Sequence, residues 1–75
     1  MVITIYKIPN CLYCNKAVIL SRMHSHETVE RELISLTKQE WKRKIGFIPK
    51  TAPQIFIGKE HIGGYDDLEK YLQGG

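Results

Sequence analysis

Val2-Ile3-Thr4-Ile5-Tyr6 is followed, after Lys7-Ile8, by Pro9-Asn10 and then by Cys11-Leu12-Tyr13-Cys14. The first run is short and β-branched, as suits a strand buried on both faces. Pro9-Asn10 ends it. From Cys11 onward the apolar period becomes helical: Tyr13, Ala17 and Leu20 share one face, which Ile19 and Met23 broaden. The two cysteines are thus expected where a strand hands over to a helix.

The rest of the chain extends this strand–helix unit. Ser25-His26 is expected to end the helix, and residues 28–33 to form a second strand. Thr37-Lys38-Gln39-Glu40 matches a capping box, in which a hydroxyl and a carboxylate reciprocally satisfy free backbone amides. The helix so started turns Trp41 and Ile45 inward and stops at Gly46. Gln54-Ile55-Phe56-Ile57 reads as a third strand, and Gly58-Lys59 as a two-residue type II′ turn into Glu60-His61-Ile62. Gly63-Gly64 breaks the sheet. Asp66-Asp67-Leu68-Glu69 resembles a further capping box, and Leu68 with Leu72 line a last helix. The order βαβαββα predicts an α/β fold, a four-stranded mixed sheet with helices on both faces, because parallel strands joined through a helix cross over with one hand.

Seventy-five residues, 43% hydrophobic and 25% charged, make one globular domain spanning 1–75. No apolar run approaches the roughly 18 residues of a membrane span. The first six residues lack a basic segment and a small-residue cleavage site, so the expected location is the cytoplasm. Two cysteines three positions apart close too small a loop to staple a fold, so they are expected to serve chemistry. The net charge of +3 is concentrated: Lys38, Lys42, Arg43, Lys44 and Lys50 face only Glu40 in that stretch. Such a run suits a solvated helix face, a small anion or a nucleic acid. No interleaved aromatic series supports nucleic acid.

A thiol at a helix N-terminus faces unsatisfied amides and the positive end of the helix dipole, and both favour thiolate. A fall in pKa from about 8.5 to about 5 corresponds to ~4.8 kcal/mol. The dipole supplies at most about 2, so an amide hydrogen bond or a nearby cation must add the rest. Such activation raises the thiolate fraction but lowers intrinsic nucleophilicity by a similar factor, so its main effect is faster departure of Cys11 from a mixed disulfide. A CxxC pair alone also suits half a zinc site. His24 and His26 would then complete it, but their spacing misses the usual ligand pattern, and no metal is expected. Thr51-Ala52-Pro53 precedes a strand: one reading is a simple strand start, the other a cis Ala52–Pro53 bond turning backbone toward the thiols. Gly63-Gly64-Tyr65-Asp66-Asp67 is either a turn with a helix cap or a site for an anion and an ammonium group.

Taken together, Ile5-Tyr6, Cys11-Leu12-Tyr13-Cys14, Thr51-Ala52-Pro53-Gln54-Ile55-Phe56-Ile57-Gly58 and His61-Ile62-Gly63-Gly64-Tyr65-Asp66-Asp67-Leu68 resemble the glutaredoxin family over nearly the whole chain. The resemblance implies the thioredoxin fold and a glutathione-disulfide oxidoreductase acting on protein disulfides and glutathione mixed disulfides. It implies Cys11 as nucleophile and Cys14 as resolving thiol. Glutathione contacts would come from Tyr13, Lys38, Thr51, Ala52, Pro53, Gly64, Tyr65, Asp66 and Asp67. Ala52 would pair with the cysteinyl backbone, Asp66 and Asp67 would hold the γ-glutamyl end, and Lys38 the glycyl carboxylate.

The chain departs from the family pattern in several places. Leu12 stands where CPYC has proline. Ile8 stands where relatives commonly carry lysine, with Lys7 one position early and Lys16 as an alternative cation. The loop containing Phe47-Ile48-Pro49-Lys50 is longer than in many relatives. The sequence ends at Gln73-Gly74-Gly75 after the last expected helix, as in compact bacterial or phage forms, some of which serve ribonucleotide reductase. A monomer is expected, without nucleic-acid or membrane partners. Two alternatives are a redoxin recycled by thioredoxin reductase and a protein holding an iron–sulfur cluster between two chains through Cys11 and glutathione.

Overall fold

In the computed structural model, which describes residues 1–24 and 27–74, the elements are β1 (Val2–Lys7), α1 (Leu12–Met23), β2 (Glu27–Glu32), α2 (Lys38–Ile45), β3 (Gln54–Ile57), β4 (Glu60–Gly63) and α3 (Tyr65–Gln73). A single 3₁₀ turn, Leu33–Ser35, lies between β2 and α2. The four strands form one sheet in the order β2-β1-β3-β4. β1 runs parallel to β2 and antiparallel to β3, and β3 and β4 form a hairpin. This is the expected α/β thioredoxin fold.

Alternation along the central strands builds a core on each face of the sheet. On one face Ile3, Ile5, Ile55 and Ile57 pack with Ala17 and Val18 of α1 and Leu68 of α3. On the other, Tyr6 and Phe56 pack with Trp41 of α2. The Tyr6 ring meets Trp41 edge-on at 4.9 Å and Phe56 at 5.6 Å, an arrangement that favours aromatic pairs beyond their buried area. The indole N–H of Trp41 donates to the Leu33 carbonyl at 2.9 Å. β1 is therefore covered on both sides, as its β-branched composition requires.

Three elements differ from the sequence reading. First, α1 buries Cys14, Ala17, Val18 and Ser21. Tyr13, Ile19 and Met23 are exposed, and Leu20 only partly packs against the core. The buried stripe keeps helical spacing but includes a serine, whose hydroxyl is satisfied by Thr28 Oγ1 at 2.5 Å. Second, the second strand starts at Glu27 and ends before Leu33, whose backbone turns into the 3₁₀ segment and whose carbonyl takes the Trp41 hydrogen bond. Third, α3 starts at Tyr65, with Gly64 as its cap, and its Asp67 accepts from the Gly64 amide at 3.0 Å. A glycine cap has no side chain to signal it. The expected helix stop at Ser25-His26 lies outside the described residues; α1 ends at Met23 with His24 as its cap.

The α2 reading holds in detail. Thr37 Oγ1 accepts from the Glu40 amide at 3.1 Å, Glu40 Oε1 accepts from the Thr37 amide at 2.9 Å, and Gly46 closes the helix at φ +87°. The hairpin also holds: Ile57 pairs with Glu60 across Gly58-Lys59, and Gly58 has φ +60° while Lys59 stays at negative φ, the sign pattern of a type II′ turn. On β4, His61 packs against the Phe56 ring at 5.0 Å and hydrogen-bonds through Nε2 to Gln54 Oε1 at 2.7 Å.

Two outcomes are expected. Thr37→Ala removes one arm of the α2 cap and should lower the unfolding free energy by about 1 kcal/mol; urea denaturation reads this directly, and an unchanged midpoint would refute it. Burial pushes the His61 imidazole below its usual 6.5, only partly countered by the Asp67 carboxylate. The unfolded chain thus binds this proton more readily, so stability should be complete above about pH 6.5 and fall as pH drops toward the folded-state value. His61→Gln should flatten that part of the stability–pH curve, whatever it does to stability at neutral pH.

Candidate functional site

The path from β1 to α1 sets the position of the cysteines. Asn10 takes a left-handed conformation, φ +56°, which Asn tolerates better than most residues. The chain then enters α1 with Cys11 as the N-cap. Cys11 and Cys14 are joined by a disulfide, with Cα atoms 5.2 Å apart. The pair is asymmetric: Cys11 is half-buried, whereas Cys14 is 1% exposed. Only the Cys11 sulfur can be approached from outside.

Cys11 Sγ accepts the Cys14 backbone N–H at 3.1 Å. A hydrogen bond to a charged acceptor contributes about 1.5–3 kcal/mol. The Cys14 amide is one of the first-turn donors of α1 that also carry the positive end of the helix dipole, so both favour negative charge on the Cys11 sulfur once the bridge is open. Lys7 is paired with Glu30 at 2.7 Å, and Arg22 reaches the same carboxylate at 2.8 Å. The Lys7 hydrogen bond, with the two cations, holds the Glu30 carboxyl below its usual range despite the opposing effect of burial. Lys16 is the cation above the site: its ammonium lies 5.3 Å from the Tyr13 ring centroid and 5.9 Å from that of Tyr65.

Ala52–Pro53 is a cis peptide bond, and the Ala52 carbonyl oxygen lies 3.9 Å from Cys11 Sγ. Beside it opens a cleft of about 340 Å³ lined by Tyr13, Thr51, Ala52, Pro53, Gly64, Tyr65, Asp66 and Asp67. Those eight residues were all singled out in the sequence, and the fold brings them together. Lys38 is placed elsewhere, lining a separate apolar hollow with Trp41, Ile48 and Pro49. The turn at Gly63 has φ +119°, and a Cβ there would run into the Asp67 carboxylate, so glycine permits the close approach that caps α3.

One supporting network escaped the sequence reading. Gln54, 5% exposed, donates from Nε2 to the Thr51 carbonyl at 3.0 Å. That bond orients the amide, leaving Oε1 as acceptor for His61. His61 Nε2 must therefore carry the proton. The chain His61–Gln54–Thr51 fixes the segment that forms the cleft wall. Its signal is a glutamine opening an otherwise apolar strand and a histidine on the strand paired with it.

Among the described residues no cluster of three or more His, Cys, Asp or Glu side chains is placed to hold a metal ion, and no helix is long and apolar enough to cross a membrane. Comparison with known proteins agrees with the geometry. The glutaredoxin family model matches residues 3–62. Glutaredoxin 1 of Rickettsia prowazekii is 41% identical over 71 residues, covering 88% of this chain and 72% of its own. The solved structure of reduced Escherichia coli glutaredoxin superposes with a TM-score of 0.87 at 28% identity, covering all of this chain and 96% of that one. A buckwheat glutaredoxin–glutathione complex gives 0.73 at 26% identity, covering 96% and 69%. With a half-exposed sulfur bridged to a buried one at a helix start, the chain belongs to the glutaredoxin family and is a thiol–disulfide oxidoreductase.

Proposed function

We propose that the reductant is glutathione and that the substrates are glutathione mixed disulfides and protein disulfides. The observation that carries this reading is the cleft itself. It begins at the Ala52 backbone beside Cys11 and ends at the amides and carboxylates that open α3. Glutathione has a backbone flanking its sulfur and an amino acid head group, so it presents matching groups in matching order. A related buckwheat protein was crystallised with glutathione, and glutaredoxins use it as reductant.

In this reading the Ala52 backbone pairs with the cysteinyl unit while Thr51, Pro53 and Tyr13 flank it. The γ-glutamyl carboxylate meets the amides after Gly64 and Tyr65, and its ammonium meets Asp66 and Asp67. Lys38 lines a separate hollow rather than this cleft and is given no glutathione contact. With a glutathione mixed disulfide, the Cys11 thiolate attacks the glutathione sulfur. The old S–S bond breaks and its electron pair leaves on the substrate sulfur, which is then protonated. A second glutathione, as thiolate, attacks the glutathione sulfur of the mixed disulfide, forms oxidised glutathione and returns Cys11 as thiolate. Here Cys11 is the leaving group, the role that its amide bond and helix position favour.

With a protein disulfide, Cys11 attacks first. Cys14 then loses its proton and displaces the substrate thiol from Cys11, giving the Cys11–Cys14 disulfide. Two glutathiones reduce that bridge in turn. Burial of Cys14 prevents it from competing for external disulfides but not from reaching its neighbour. Protein clients of this route include, by resemblance, ribonucleotide reductase, and a reducing compartment such as the cytoplasm suits both routes. The domain acts as a monomer and needs no metal.

Coupled turnover with glutathione reductase tests this reading. Cys11→Ser should abolish both routes, whereas Cys14→Ser should retain turnover of a small glutathione mixed disulfide and lose protein disulfide reduction. Loss of both in a folded Cys14→Ser protein would remove the one-thiol route. Asp67→Asn keeps an oxygen for the Gly64 amide but removes the charge. It should raise KM for the glutathione mixed disulfide about tenfold, the equivalent of ~1.4 kcal/mol, with kcat unchanged. Activity supported by thioredoxin reductase and not by glutathione would overturn the assignment of the reductant.

A further inference from the structure

A second surface leaves the active site in another direction. A hollow of about 210 Å³ shares Thr51 and Ala52 with the glutathione cleft and runs to Leu33 and Pro49. There it meets a second hollow of about 330 Å³, which also includes Leu33 and Pro49 and continues over Ile34, Leu36 and Ile48. The groove is open to solvent along its length: Ile34 is 86% exposed and Ile48 44%. Ile8, at 42%, borders its active-site end. Such a contiguous apolar strip needs an explanation that scattered surface residues do not.

The charge around the groove is one-sided. Lys50 and Lys38 line it, and Lys42 and Arg43 follow on the same helix as Lys38. Neither Lys38 nor Lys50 is paired with a carboxylate among the described residues. The single anion in this stretch, Glu40, is held in the α2 cap by the Thr37 amide. The glutathione cleft, by contrast, ends on Asp66 and Asp67. Cationic and acidic surfaces therefore lie to either side of the Thr51–Ala52 wall.

We propose that this groove docks the protein substrate, through a segment that carries aspartate or glutamate among apolar side chains close to its reactive disulfide. The apolar side chains seat over Leu33, Ile48 and Pro49, and the carboxylates face Lys50 and its neighbours. Continuity with Ala52, whose carbonyl lies beside Cys11, brings the substrate sulfur to the nucleophile. The 47–50 loop, with Ile48 and Pro49 on one wall, makes this surface a specificity determinant distinct from the cleft. The proposal rests on the protein disulfide reading above and adds the chemistry of the client.

The test uses two synthetic peptides carrying the same glutathionylated cysteine. In one the cysteine is followed by alternating Leu and Asp; in the other each Asp is Lys. The acidic peptide should be turned over with kcat/KM about tenfold higher, and the advantage should shrink at high salt as the charges are screened. Ile48→Glu and Lys50→Glu should each lower kcat/KM for the acidic peptide about tenfold, while turnover of a small glutathione mixed disulfide stays unchanged. Binding without chemistry is read with a Ser-for-Cys acidic peptide, by fluorescence of Trp41, the chain's only tryptophan and part of the groove. If glutathione fails to support turnover but this peptide still shifts Trp41 in the native chain and not in Lys50→Glu, the reductant was misassigned and the docking surface stands. Equal treatment of the two peptides, or indifference of the acidic peptide to both substitutions, overturns the docking surface. So would a dimer in sedimentation that Ile48→Glu dissociates, since a second copy would then cover the groove.

Discussion

Everything at the site depends on how β1 is paired. It lies parallel to β2 and antiparallel to β3, with Tyr6 opposite Gln54. The end of β1 and the start of β3, the two central strands, therefore fall at one end of the sheet. Cys11 leaves from the first, and Thr51-Ala52-Pro53 arrives at the second. The hairpin then reverses direction once more, so that Gly63 at the end of β4 pairs with Ile55 and delivers the start of α3 to the same end. Three segments, the first and last more than fifty residues apart, are assembled by register. A shift of one residue in either antiparallel pairing would turn Ile55 and Ile57 away from their core, so the packing that stabilises the sheet also fixes the geometry of the thiols.

The local chemistry adds few charges to this frame. The Cys11 sulfur faces a helix start and one backbone amide, neither of which can be neutralised by a change in pH near neutrality. That leaves nearby side chains free for other tasks. Lys7 stays with Glu30 at the sheet edge, Lys16 covers the two tyrosines of the cleft, and Lys38 of α2 borders the apolar groove. The two faces of the sheet also differ in kind. The aliphatic face carries α1 and α3 and hence both ends of the cleft, while the aromatic face carries α2 and the groove.

What could be read from the sequence was local or was carried by a motif. The α2 cap needed only Thr37, Glu40 and Gly46, the hairpin only Gly58-Lys59 between apolar runs, and the eight cleft residues only three short stretches. What could not be read depended on distant partners. α1 has two stripes at helical spacing, and the more apolar one, with Ile19 and Met23, faces water. The stripe holding Cys14, Ala17, Val18 and Ser21 goes inward because the small Ala17 fits against the sheet and Thr28 satisfies the serine. The end of β2 is decided by Trp41 taking the Leu33 carbonyl from eight residues away. Lys38 could be matched to a position in a pattern, but the hollow it lines depends on how the 47–50 loop folds back over α2, and spacing along the chain does not encode that.

The short span of the disulfide has a consequence for how the domain withstands its own chemistry. In the chain-entropy view a cross-link stabilises with the logarithm of the loop it closes, and a separation of three residues is near the lower limit. The two cores are built from other residues, except for Cys14, which stays buried in the fold. The hydrogen bonds that hold the 51–53 wall run through Gln54 and His61 and do not involve sulfur. Opening the bridge therefore removes little that the fold relies on. A small domain has only a modest margin of stability, and an enzyme whose active-site bond opens and closes is best built with that bond outside its structural support. Here the motif sits beyond the end of a central strand, in a sheet that is already complete without it.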